Sequence, residues 1–132
     1  MNETTQKQLL DKYSHLFAGE GTPFGAWGFE THDGWNDLVA NLLAELDKYG
    51  KENKVEIKIL QLKTKLSSIR CYVSALPETN FDSVFRIIDK YEEISKVTCE
   101  ECGQAGKVKN FNGWLKTVCP EHSKNPKSNT LN

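Results

Sequence analysis

The stretch Cys99-Glu-Glu-Cys102, followed after sixteen residues by Cys119-Pro-Glu-His122, provides four candidate metal ligands in two pairs. Two residues separate the members of each pair, which allows a tight turn to direct both donor atoms at one ion. Three cysteines and one histidine form a complete tetrahedral ligand set for zinc, with no position left for water. The pattern therefore predicts a structural Zn²⁺ rather than a catalytic one. The alternative is a set of reduced cysteines without metal.

The residues between the two pairs predict how this segment folds. Asn112-Gly113 lies between residues 107–111 and 114–118, and Asn-Gly is the strongest signal for a two-residue hairpin turn. Pro120 follows a ligand directly and suits the first position of a helix. Residues 99–122 are therefore predicted to form a treble-clef or ribbon-like zinc knuckle.

The composition is that of one compact domain. The chain has 132 residues, 38% of them hydrophobic, and a net charge of −1. Because the sequence has no apolar run of about 20 residues and no signal-like start, we expect a cytoplasmic protein without a membrane partner. The charge is uneven, since residues 1–50 are acidic and residues 51–75 are basic. A confined basic block favours a small anionic partner over a long nucleic-acid track.

Two predicted helices flank a glycine-rich segment in the first half of the chain. Thr4 or Thr5 is a candidate cap for a first helix that ends near Gly19. Residues 18–34 are rich in glycine and aromatic residues and predict a shaped loop, with one short strand around Trp27. Apolar residues then recur at helical spacing between a cap at Asp33 and a stop at Gly50.

Alternating apolar and polar residues around 55–59 and 69–73 predict two strands, joined into an antiparallel hairpin by a turn over residues 63–68. A third helix starts at Thr79 or Asn80, and its predicted buried face consists of Phe81, Val84, Phe85, Ile88, Tyr91 and Ile94. The predicted fold class is α+β, with helices on a small antiparallel sheet or hairpin. The predicted units are a body (1–98), a zinc knuckle packed on it (99–122) and a disordered tail (123–132).

Two groups of residues are candidates for a ligand site, one in the loop before the second helix and one on the strands. Aromatic rings can stack on a base, and Lys and Arg neutralise phosphate. The loop group is Trp27, Glu30, Asp33 and Trp35, and the strand group is Lys63, Lys65, Arg70 and Tyr72. In the alternative interpretation the tryptophans belong to the core and the cations form a solvated strand face.

These motifs also resemble a family of small phage-encoded proteins without an established activity. The resemblance covers residues 8–122 and rests on Trp27-Gly-Phe-Glu30, Asp33-Gly-Trp35, Lys63-x-Lys65, Arg70-x-Tyr72 and the paired Cys/His motifs with Gly113-Trp114. It implies a viral setting, in which the compartment would be the host cytoplasm. The chain departs from the family at Leu66-Ser67-Ser68, where the family often has an aromatic residue and glycines, and at His122, where it more often has cysteine.

The sequence contains no nucleophile elbow, phosphate-binding loop or dinucleotide motif, so we expect a protein that is not an enzyme. The preferred interpretation is a phage-type binding protein that captures a small anionic ligand, such as a host nucleotide immune signal. The alternative is a structural-zinc module that binds nucleic acid or acts as a protein adaptor. In that case Lys107, Lys109, Lys116 and Lys124 would be the contacts.

Overall fold

The computed structural model describes residues 1–124, and the predicted tail beyond residue 124 lies outside them. This part of the chain is α+β and contains two small sheets. Its helices are α1 (Glu3–Lys12), α2 (Pro23–Trp27), α3 (Asn36–Asn53), α4 (Phe81–Ser95) and α5 (Pro120–Ser123). Its strands are β1 (Phe29–Glu30), β2 (Glu56–Lys65), β3 (Ser68–Leu76), β4 (Lys107–Phe111) and β5 (Trp114–Val118). No helix in this range is long and apolar enough to span a bilayer.

The larger sheet is built on the hairpin of β2 and β3, which confirms the predicted antiparallel pair. The turn is shorter than predicted and consists of Leu66 and Ser67, with φ values of 51° and 66°. Two consecutive positive φ angles match the twist of a two-residue hairpin, so the strands continue to Lys65 and from Ser68. β1 adds a parallel third strand beside β2, which the sequence did not predict.

The first helix is capped by Asn2, whose side-chain oxygen accepts from the Thr5 N–H at 2.8 Å. The predicted cap at Thr4 or Thr5 is therefore wrong. The helix also ends at Lys12, well before Gly19, and a 3₁₀ turn over Ser14–Leu16 follows.

The segment predicted as a loop with a strand around Trp27 instead contains a helix, α2, which Thr22 caps. Thr22 and the following proline start this helix, and the strand comes afterwards at Phe29–Glu30. Phe24 of α2 stacks on Phe17 at 4.4 Å between ring centroids and meets Phe29 edge-on. This aromatic packing holds a helix whose intrinsic propensity is low because it contains Gly25.

The second predicted helix forms as α3, but its ends differ from the prediction. Asp33 lies in a preceding 3₁₀ turn, and its carboxylate accepts from the backbone N–H of Asn2 at 2.8 Å instead of capping α3. That hydrogen bond lowers the pKa of Asp33. Gly50 does not end the helix, because α3 continues to Asn53 and the left-handed Lys54 closes it.

The core lies between the three-stranded sheet, α3 and α4. The residues buried from α3 are Leu38, Val39, Leu42, Leu43 and Leu46. From α4, Val84, Ile88 and Tyr91 are buried as predicted. Phe85 and Ile94 are 47% and 40% exposed, so the predicted apolar face of this helix is wider than the face that packs.

Candidate functional site

The four predicted ligands come together as one cluster at the C-terminal end of the described chain. Donor atoms of Cys99, Cys102, Cys119 and His122 all lie within 4.8 Å of one another. The Cys119 Sγ to His122 Nδ1 distance is 3.2 Å, and the Cys102 and Cys119 sulfurs are 3.7 Å apart. Donors bound at 2.0–2.3 Å to one tetrahedral ion lie roughly 3.5 Å apart. The cluster can therefore hold a metal ion with small adjustments.

Local backbone hydrogen bonds position each ligand pair. The Gly103 N–H donates to the Cys99 carbonyl at 2.9 Å, and Gly103 has a φ of 81°, which favours glycine. In the second pair, Cys119 directly precedes α5 and His122 lies within that helix, which Pro120 begins as predicted. The backbone N–H of His122 lowers the pKa of the Cys119 thiol to about 6, so this ligand is available as a thiolate near neutral pH.

The cluster belongs to a C-terminal module, residues 98–123, which also contains the hairpin of β4 and β5. This hairpin has the predicted bounds, and its turn residues Asn112 and Gly113 both have positive φ angles. Glu100 ties the first ligand pair to β5, because its N–H donates to the Thr117 carbonyl and its carboxylate accepts from the Thr117 N–H. The two ligand pairs are thus joined by hydrogen bonds as well as by the shared cluster.

Apart from the bonds next to the chain connection, where Thr98 and Gly106 donate to residues 94–97, three hydrogen bonds dock this module on the rest of the chain. The Gly34 N–H donates to the Glu100 carbonyl at 2.8 Å. The indole N–H of Trp35 donates to the Thr98 carbonyl at 2.9 Å. The Thr117 hydroxyl donates to the Ser67 carbonyl, at the tip of the larger hairpin, at 2.7 Å.

A cleft of about 740 Å³ lies where the module meets the body. The body contributes the end of β1 and the tip of the β2–β3 hairpin, and the module contributes Glu100 and the β4–β5 hairpin. Its lining residues are Met1, Phe29, Glu30, Thr31, His32, Lys63, Thr64, Lys65, Leu66, Ser67, Glu100, Gly113, Trp114, Leu115 and Lys116. A space of this size accommodates a small organic molecule.

The charged groups of the cleft differ in exposure. Lys65 is exposed and Lys63 half-buried, whereas Lys116 is only 1% exposed, with its Nζ 3.0 Å from a Glu101 carboxylate oxygen. Burial, reinforced by the Lys116 ammonium, lowers the pKa of His32, so this side chain is neutral at pH 7. Burial also raises the pKa of Glu100.

Two buried hydroxyl groups in the cleft walls, Thr31 Oγ1 and Thr64 Oγ1, have no hydrogen-bond partner within residues 1–124. Leaving such a group unpaired costs about 1–3 kcal/mol. Lys116 Nζ is also buried, and its partner is the Glu101 carboxylate.

The predicted ligand residues are only partly brought together. Glu30, Lys63 and Lys65 line the cleft. Arg70 instead lies 3.7 Å from the Glu92 carboxylate, and Tyr72 is 45% exposed outside the cleft.

The three remaining residues of the predicted loop group lie apart from the cleft. Trp35 is fully buried in the core and Trp27 is 72% exposed, while Asp33 holds the N-terminal segment.

The sequence prediction missed the cleft residues Thr31, His32, Trp114 and Lys116. Lys116 was predicted as a surface contact for nucleic acid, which its burial contradicts. Its position in β5, three residues before the ligand Cys119, is a weak signal, because alternation along a five-residue strand does not show which face packs on another segment.

Comparisons of the chain with protein-family profiles, with curated proteins and with solved structures found no match.

Proposed function

We propose that this protein is a non-catalytic binding protein that captures a small anionic ligand in the cleft, and that a structural zinc in the Cys₃His cluster stabilises it. The observation that carries this proposal is that Lys63 and Lys65, neither of them buried, line the same cleft as the exposed indole of Trp114. A ligand with oxyanion groups would accept hydrogen bonds from both ammonium groups.

Zinc is the ion that best suits the cluster. Three thiolates and an imidazole favour a soft or borderline ion, and four protein donors fill a tetrahedral shell. Gly103 at the first turn and the hairpin leading to Pro120 support the proposal that residues 99–122 form a treble-clef or ribbon-like zinc knuckle.

A nucleotide is the ligand class that the cleft chemistry favours. Trp114 lines the cleft and is 48% exposed, so its indole face is available for stacking on a base. Lys63 and Lys65 would bind phosphate oxygens, and the carboxylate of Glu30 would accept from sugar or base donors. The phage setting implied by the resemblance makes host nucleotide immune signals the first compounds to test.

The test is a thermal-shift panel of cyclic dinucleotides, ADP-ribose derivatives and mononucleotides, followed by calorimetry on any compound that stabilises the protein. Replacing Lys65 by alanine should weaken binding by about 1.5–3 kcal/mol, because a charge-assisted hydrogen bond is lost. This corresponds to roughly 10- to 150-fold in Kd. Lys48→Ala makes the same charge change at an exposed site on α3 and should leave the affinity unchanged.

Mass spectrometry of the supernatant from heat-denatured protein, purified from cells that make nucleotide signals, would identify a co-purified ligand. Absence of any released compound and of any thermal shift would refute the nucleotide proposal. Tight binding to DNA or RNA that falls steeply with salt, and that Lys107→Glu and Lys109→Glu abolish, would favour the nucleic-acid alternative instead.

A further inference from the structure

We infer that the metal cluster assembles the cleft, so that metal binding and ligand binding are coupled. The functional side of this inference rests on the proposed binding role of the cleft. Its structural side concerns only whether the C-terminal module stays docked on the body when the metal is removed.

Without the module, the cleft would lack one of its two walls. Thr31, His32 and Thr64 come from the body, whereas Glu100, Trp114 and Lys116 come from the module. The groups proposed to bind the ligand are divided in the same way, since Lys63 and Lys65 belong to the body and Trp114 belongs to the module. A ligand that contacts all three must bridge the two parts.

Burial of apolar side chains contributes little to the stability of the module. Its buried apolar cluster consists of Cys99, Val118 and Cys119, with Phe111 packed against it, and it is separate from the main core. Two of these three buried residues are ligands of the candidate metal. Such small modules depend on their metal for folding.

The two pairs of metal ligands are connected directly to the hydrogen bonds that dock the module on the body. Glu100 lies between Cys99 and Cys102, and it accepts from the Gly34 N–H while bonding Thr117. Thr117 in turn lies two residues before Cys119 and donates to the hairpin tip at Ser67. Without the metal, Glu100 and Thr117 are no longer next to fixed ligands, so their hydrogen bonds to Gly34 and Ser67 weaken.

Two N–H groups of the body report on docking directly, because their acceptors lie in the module. These are the Gly34 backbone N–H, bonded to Glu100, and the Trp35 indole N–H, bonded to Thr98. Hydrogen exchange of ¹⁵N-labelled protein should be followed by NMR in the metal-loaded form and after chelation. We expect at least a tenfold loss of protection at both groups after chelation, with the amides of Leu42 and Leu46 in α3 still protected.

Three outcomes of the chelation experiment would overturn the inference. Unchanged protection at Gly34 and Trp35 would show that docking does not need the metal. A loss of protection in α3 as large as the loss at Gly34 and Trp35 would show that the metal supports the whole fold rather than the cleft. A purified protein that contains no metal would remove its basis. None of these readouts uses a ligand, so failure of the proposed nucleotide binding would be recognised separately.

A glycine substitution tests docking with all four ligands intact. A Cβ added at Gly34 would overlap the backbone of Cys99 and Glu100, whereas at Gly19 it would meet nothing within 4 Å. Gly34→Ala should therefore keep one metal per chain and a protected Leu42 amide while it loses protection at the Trp35 indole. Gly19→Ala should match the parent in all three measurements. Retention of Trp35 protection in Gly34→Ala would contradict the docking geometry.

Discussion

Removal of the metal from purified protein is expected to lower its melting temperature by on the order of 10 °C or more. Structural zinc contributes about 10 kcal/mol or more in isolated zinc-finger peptides. For a chain of this length each kcal/mol corresponds to roughly 3–6 °C, so even a few kcal/mol transmitted to the fold produces this shift. Elemental analysis should find about one zinc per chain before chelation, and added Zn²⁺ should restore the melting temperature.

Cysteine variants separate a metal site from a set of buried thiols. Cys102→Ser removes a thiolate ligand and opens the coordination shell, so this variant should retain less zinc than the parent after purification. Cys71→Ala is the matched control, since Cys71 is buried in the main core and lies outside the cluster. It should lose some stability but keep its zinc. Equal zinc contents in the two variants would contradict the assignment of the ligands.

Replacement of Trp35 by alanine is expected to destabilise the fold by about 3–5 kcal/mol, the usual cost of removing a large buried aromatic side chain. Trp35 is fully buried, and its indole N–H is bonded to the Thr98 carbonyl. The variant therefore loses core packing and leaves a carbonyl of the module without its donor. Urea unfolding monitored by circular dichroism would measure this change.

Trp27 provides the comparison for this experiment, because its side chain is 72% exposed. Trp27→Ala should change the free energy of unfolding by no more than about 0.5 kcal/mol. Similar effects of the two substitutions would mean that the burial of Trp35 is wrongly described. The two substitutions also decide whether Trp35 belongs to the core or to a ligand site. A Trp35 that only bound ligand would affect affinity and leave the free energy of unfolding unchanged.

The elements with strong local signals could be predicted from the sequence. The apolar spacing of α3, the alternation in β2 and β3, and Asn112-Gly113 each determine an element from neighbouring residues alone. The four ligands could be predicted for the same reason, because the spacing within each pair is local. The predicted helix boundaries were less accurate. Asp33 accepts a hydrogen bond from Asn2 instead of capping α3, and the cap of α1 is Asn2, which precedes the expected threonines.

The cleft could not be predicted, because its defining groups lie far apart in the sequence. Thr31, Thr64 and Lys116 come from three segments whose proximity depends on the parallel pairing of β1 with β2 and on the docking of the module. A threonine in a strand or a lysine in a hairpin has no distinctive pattern of its own. The two-residue strand β1 is likewise too short for any periodicity to reveal it.

The burial of Cys71 makes alkylation chemistry informative about this protein. Burial raises the pKa of the Cys71 thiol to about 12, so at neutral pH it presents almost no thiolate to a reagent such as iodoacetamide. A metal-loaded chain should resist modification, and a chelated chain with an intact core should gain three adducts. A fourth adduct requires the main core to open. Intact-mass counting of adducts therefore distinguishes release of the metal from global unfolding in a single sample.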